Sequence, residues 1–123
     1  MVHLPWLDFW LLKLDSHGQE EWSTNFGGEL TEECNWVDQT MDGGYVLAGH
    51  TLSYGAGQRD IYVVRTDSEG DIIWDYTNGT EYHDWGTCVE QTDDGGYFIT
   101  GYGKGISMTG PYDVHLIRLG PVN

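Results

Sequence analysis

The chain has 123 residues, enough for one small domain with a modest core and too few for two. Hydrophobic residues make up 39% and aromatic residues 14%, which excludes a disordered chain. Twenty acids against five Lys or Arg give a formal net charge of -15, a balance that repels phosphate backbones and anionic lipids, so neither nucleic acid nor membrane insertion is expected.

The opening, Met1 to Asp8, has no basic stretch, no apolar run of leader length and no small-residue cleavage site, so no secretory leader is expected there. Extended runs are expected over Asp8 to Asp15 and Glu20 to Phe26. The next pair, Asn35 to Thr40 and Tyr45 to Thr51, is split by Met41-Asp42-Gly43-Gly44, a tight-turn sequence whose glycines supply positive φ at no steric cost. After a Gly-rich loop, Ser53 to Arg59, comes Asp60 to Thr66, whose β-branched and aromatic content argues strand over helix. The turn Asp67-Ser68-Glu69-Gly70 leads into a further strand, Asp71 to Tyr76. Glycine interrupts every window with helical apolar spacing, so essentially no α-helix is expected.

Shifted by 52 places, the chain matches itself: Asp8 falls on Asp60, Gly18 on Gly70, Trp22 on Trp74, Gly27 on Gly79 and Gly49 on Gly101. The hairpin Asp42-Gly43-Gly44-Tyr45 falls on Asp94-Gly95-Gly96-Tyr97, and a partial third copy opens at Asp113 after one inserted residue. Four short antiparallel strands per copy of this length describe a β-propeller blade. The expected fold is thus all-β, a single domain over 1–123 with copies at 8–59, 60–112 and 113–123, or about two and a half blades. The chain starts with the third and fourth strands of one blade and ends with the first three of another. One chain cannot close a ring of four to eight blades, so either several copies associate, each completing its neighbour's split blade into a ring or stack, or the chain is part of a longer repeat protein. Asp8 to Asp15 and Asp113 to Leu119 then compete for one place.

The run from Asp60 through Arg65, Asp67, Gly70 and Trp74, then Gly79, then Gln91 to Tyr97 and Gly101, resembles the beta-propeller repeat family often called SBBP. The likeness extends over nearly the whole chain from Asp8. It implies a bacterial or archaeal repeat protein, extracellular or at the cell surface, with no characterised catalytic residues to carry over.

Lys13, Arg65 and Arg118 share one repeat position, and Asp38 and Glu90 share another, which points to recurrent ion pairs between strands. Trp22 and Trp74 resemble the docking tryptophans of quinoprotein propellers, with a turn one residue shorter, and read as packing between blades, as does Trp36. A quinone cofactor is the much weaker reading. Calcium at the acidic turn Asp67 to Asp71 is outweighed by ordinary turn chemistry, the loop Glu29 to Glu33, aligned with Glu81 to Asp84, is a second acidic loop at which a divalent ion could be shared between blades, and the leading expectation is no cofactor. His3, His17, His50, His83 and His115 show no metal spacing, and Cys34 and Cys88 read as buried free thiols, with a bridge between them as the alternative. Tyr54, Trp85, Tyr102 and Tyr112, in or beside the loops joining second to third strands, are candidates for shallow sugar-binding pockets. The leading expectation is a non-enzymatic module for self-assembly or surface interaction, and a lectin-like propeller is the rival.

Overall fold

The computed structural model describes residues 7–55, 58–103 and 112–121. The opening residues 1–6 with His3, part of the loop Ser53 to Arg59 and most of the loop from Gly103 to Tyr112 lie outside the described residues. All regular structure among the described residues is β. The first sheet pairs β1 (Phe9–Leu14) with β2 (Glu20–Phe26). The second runs β3 (Glu32–Gln39), β4 (Tyr45–Thr51), β5 (Asp60–Thr66) and β6 (Ile72–Asn78) in order. The third holds β7 (Asp84–Gln91), β8 (Tyr97–Gly103) and β9 (Asp113–Leu119). Every pairing is antiparallel and joins chain neighbours, and the described strands close no ring.

Turn chemistry sets these hairpins. In the turn before β4, Gly43 N–H donates to Thr40 O at 3.0 Å and Thr40 N–H to Gly44 O at 2.9 Å, while the Asp42 carboxylate accepts from the Thr40 hydroxyl and Gly44 N–H. Asp67 Oδ1 likewise accepts from the N–H groups of Glu69 and Asp71, and Asp15 Oδ1 from those of His17 and Gln19. These acids are consumed by the backbone they bend.

The sheets stack through apolar faces. Phe9, Leu11 and Phe26 of the first meet Leu47, Tyr62 and Val64 of the second. The opposite face of the second sheet, with Val46, Ala48, Ile61 and Val63, meets Val89, Tyr97 and Ile99 of the third. Alternating residues of β5 thus enter two different cores, and all seven are buried. At each junction an indole from the preceding sheet is wedged against a tyrosine of the next. Trp22 meets Tyr45 edge-on at 5.9 Å between ring centroids, and Trp74 meets Tyr97 at 5.2 Å.

Three strands depart from the expected bounds. β1 runs Phe9–Leu14, one residue short of Asp8 to Asp15 at each end. β3 starts at Glu32 rather than Asn35, because a bulge between Cys34 and Trp36 breaks the alternation. β6 runs Ile72–Asn78, not Asp71 to Tyr76, following β5 to its start, with Asn78 opposite Ile61.

Gly70 and Gly18 both sit at positive φ, 88° and 80°. A Cβ on Gly70 would also lie 2.7 Å from the Trp22 ring, whereas Gly18 has open space around it. Gly18→Ala is therefore expected to cost about 1–2 kcal/mol from backbone strain alone. Gly70→Ala adds an overpacking cost of about 1–3 kcal/mol as the indole is forced aside. Urea denaturation of the two variants checks the difference, and equal losses would show that Trp22 is not held by this turn.

Candidate functional site

The residues of interest lie along the two junctions and on the outer faces of the end sheets. Each junction begins where a loop enters a sheet: Glu32 N–H donates to Leu7 O at 2.6 Å, and Asp84 N–H to Arg59 O at 2.6 Å. Both acids are fully buried. Glu32 accepts from Gly28 N–H at 2.9 Å and from the Thr51 hydroxyl at 2.6 Å, and Asp84 accepts from Thr80 N–H at 2.7 Å. His115 Nε2 lies 3.3 Å from the other Asp84 oxygen. A side chain on Gly27 would run into the Asp8 and Glu32 carboxylates, and one on Gly79 into those of Asp60 and Asp84, so each glycine marks a place where two acids converge. The acidic loop considered for calcium, Glu29 to Glu33, thus contains an acid whose oxygens answer loop N–H and hydroxyl groups. Among the described residues no group of three or more His, Cys, Asp or Glu is placed to hold a metal ion.

The three cations at one repeat position all form ion pairs, but not with Asp38 and Glu90. Arg65 reaches Asp42 at 2.7 Å, Arg118 reaches Asp94 at 2.6 Å, and Lys13 takes Glu21 at 2.9 Å. The register explains the correction: Asp38 lies opposite Val46, which lies opposite Arg65, so a whole strand separates acid from base. The guanidinium instead runs along the sheet to the hairpin turn. Arg65 also donates to the Tyr97 hydroxyl at 2.7 Å and to Thr66 O, so one buried cation ties a turn, its own strand and the next sheet together. Arg118 has the same turn partner in an exposed setting.

Trp36 is exposed, in contrast to Trp22 and Trp74. It sits on the edge strand of the second sheet just after the bulge, which turns it out of the junction. The expected burial of the thiols is also corrected. Cys34 is exposed and Cys88 partly so, both are free, and desolvation of each sulfur raises its pKa.

Of the four aromatic candidates, three come together. Trp85 stacks on Tyr102 at 5.0 Å, and Tyr112 stands edge-on to both at 5.8 Å. Tyr54 lies elsewhere, against Tyr62 at 5.5 Å. The aromatic trio borders the outer face of the third sheet, where Val114 and Leu116 are 77% and 66% exposed. The opposite end is similar, with Trp10, Leu12 and Leu14 exposed on the outer face of the first sheet. Position matters more than residue type: Val37 and Val89 occupy the same place in β3 and β7, yet Val89 is 0% exposed and Val37 51%. Two strands of the first sheet do not reach over Val37, whereas the four-stranded second sheet covers Val89. An open cleft of about 390 Å³, lined by Trp74, Asp75, Tyr76, Leu119 and Gly120, lies beside β9 where a fourth strand of the third sheet would run.

Arg65→Met keeps apolar volume but strips charged hydrogen bonds from a buried site, an expected loss of about 2–3 kcal/mol. Arg118→Met, at the exposed counterpart, is expected to cost less than about 1 kcal/mol. Equal losses in urea denaturation would refute the ranking. The carboxyl of Asp42 is held down to about 2, from an ordinary 3.8, by the Thr40 hydroxyl, Gly44 N–H and Arg65. Its folded pKa is depressed, so its contribution to stability is present above 3.8 and lost as pH falls from 3.8 through about 2. A carboxyl NMR titration should place the midpoint near the lower value, and Asp42→Asn should flatten acid destabilisation over that window.

No family model matches the chain, and no curated protein matches it.

Proposed function

We propose that the chain is a non-enzymatic, β-propeller-type repeat module of the SBBP kind that works by associating with further copies of itself, or by presenting a surface to a partner, outside the cell. The observation that carries this reading is the contrast between Val37 and Val89, one repeat position buried where a full sheet covers it and half exposed where none does. Exposed apolar side chains on both end faces support it as well, since contiguous patches of this kind on soluble proteins mark interaction sites. The extracellular placement comes from the family resemblance alone.

Carbohydrate binding is the second reading, favoured by the cluster of half-buried Trp85 with exposed Tyr102 and Tyr112, whose ring faces suit stacking against sugar C–H groups. Glycan-array binding that is lost in Trp85→Ala would promote this reading.

Sedimentation velocity tests the first reading. The wild-type chain is expected to gain mass with concentration, and Trp10→Ser combined with Leu12→Ser to shift the equilibrium toward single chains without lowering the melting temperature of the dissociated form. A wild-type chain that stays monomeric at every concentration would remove self-association.

A further inference from the structure

We infer that two copies of the chain share one four-stranded sheet, in which β8 of one copy pairs with β1 of the other in the order β7, β8, β1, β2, and β9 gives up its place to the incoming β1. This rests on the self-association proposed above and names its surface.

The deficits at the two ends are complementary. β1 and β2 correspond in the repeat to β5 and β6, so the first sheet consists of third and fourth strands, and among the described residues no strand pairs with the other edge of β1. The third sheet consists of first, second and third strands, with the cleft at Trp74, Tyr76 and Leu119 where its fourth would lie. Joining β7 and β8 to another copy's β1 and β2 fills both vacancies at once and leaves β9 as the surplus strand.

Two polar groups beside the first sheet lack the partners that their repeat counterparts have. Arg65 and Arg118 bind the hairpin aspartates Asp42 and Asp94, whereas Lys13, with no such hairpin in its sheet, turns to its neighbour Glu21. The shared sheet would put the second copy's Asp94 within reach of Lys13. Gln91 accepts a hydrogen bond from Met41 N–H in the hairpin of the preceding sheet, at 2.8 Å. Gln39 holds the same repeat position and would meet the second copy's Asp93 N–H. The same hairpin would lie over Val37.

Burial decides which of the two competing strands yields. β1 is anchored in its own copy by Phe9 and Leu11, both buried against the second sheet. β9 leaves Val114 and Leu116 in water, and its other face carries Ile117 and Leu119 only partly buried. An incoming β1 would set Trp10, Leu12 and Leu14 where His115, Ile117 and Leu119 stand, against the Trp74 and Tyr76 side of the second sheet. A strand covered on one face is thereby exchanged for one covered on both, and the backbone bonds β8 loses to β9 are remade with β1.

The test uses the full chain on a Cys34→Ser, Cys88→Ser background, one preparation carrying Lys13→Cys and the other Phe98→Cys. Phe98 lies opposite Arg118, whose place Lys13 would take, so the two new thiols would sit at cross-strand separation, within disulfide reach. After mixing, mild denaturation, reassociation and oxidation, a mixed disulfide dimer is expected that neither preparation gives alone. In sedimentation, Val114→Asp should associate no more weakly than wild type, because β9 leaves the sheet, while Lys13→Glu should associate about tenfold more weakly through repulsion from Asp94. Dimers without the mixed disulfide, or dimers abolished by Val114→Asp, would mean that intact end sheets stack face to face, overturning strand exchange and leaving self-association in place. A chain that is monomeric throughout would overturn both.

Discussion

A strand with seven consecutive buried residues has no side to give to water, and β5 is such a strand. Its odd and even side chains enter two separate cores, so the second sheet requires a cover on each face. Two packed sheets can satisfy an ordinary antiparallel sheet with one wet face. A sheet that is apolar on both sides cannot be satisfied by fewer than three. The stacking order, the wedged indoles at each junction and the exposed outer faces of the end sheets all follow from that requirement.

The same logic shapes the electrostatics. With a net charge of -15, the chain would be expected to suffer from its own carboxylates. Many of these are spent locally: Asp15 and Asp67 on turn N–H groups, Asp42 and Asp94 on turn N–H groups and an arginine, Glu32 and Asp84 on the loops that carry the chain between sheets. Two of the scarce cations, Arg65 and Arg118, fasten a turn to a strand, and Arg65 is also fastened to the next sheet through Tyr97.

Much of this was legible in the sequence because glycine, aspartate and tryptophan recur at fixed offsets, and turns are local. Gly43, Gly70 and Gly95 announce positive φ, and the strands between such turns have little freedom in length. What was not legible depends on distance in space. The bulge after Cys34 hides the start of β3, because one extra residue inverts the alternation on which a strand is recognised. Asp38 looked like the partner of Arg65, since both recur, but whether an arginine reaches across a sheet or along it is set by the strand between them. Trp36 read as a packing residue because tryptophan usually is one, and its position on an edge strand decided otherwise. Glu32 could have been recognised: it repeats as Asp84, each five residues after a glycine, Gly27 or Gly79, and a repeated acid beside a repeated glycine is a signal for a carboxylate that caps a loop.

Each junction is complete in itself. It contains an indole, a facing tyrosine, a capping acid, a glycine that makes room for it and one backbone bond between loops, and the set at the first junction reappears at the second. Nothing in one set depends on the other. A gene encoding such a chain could therefore lengthen or shorten by whole units without producing a mismatched joint.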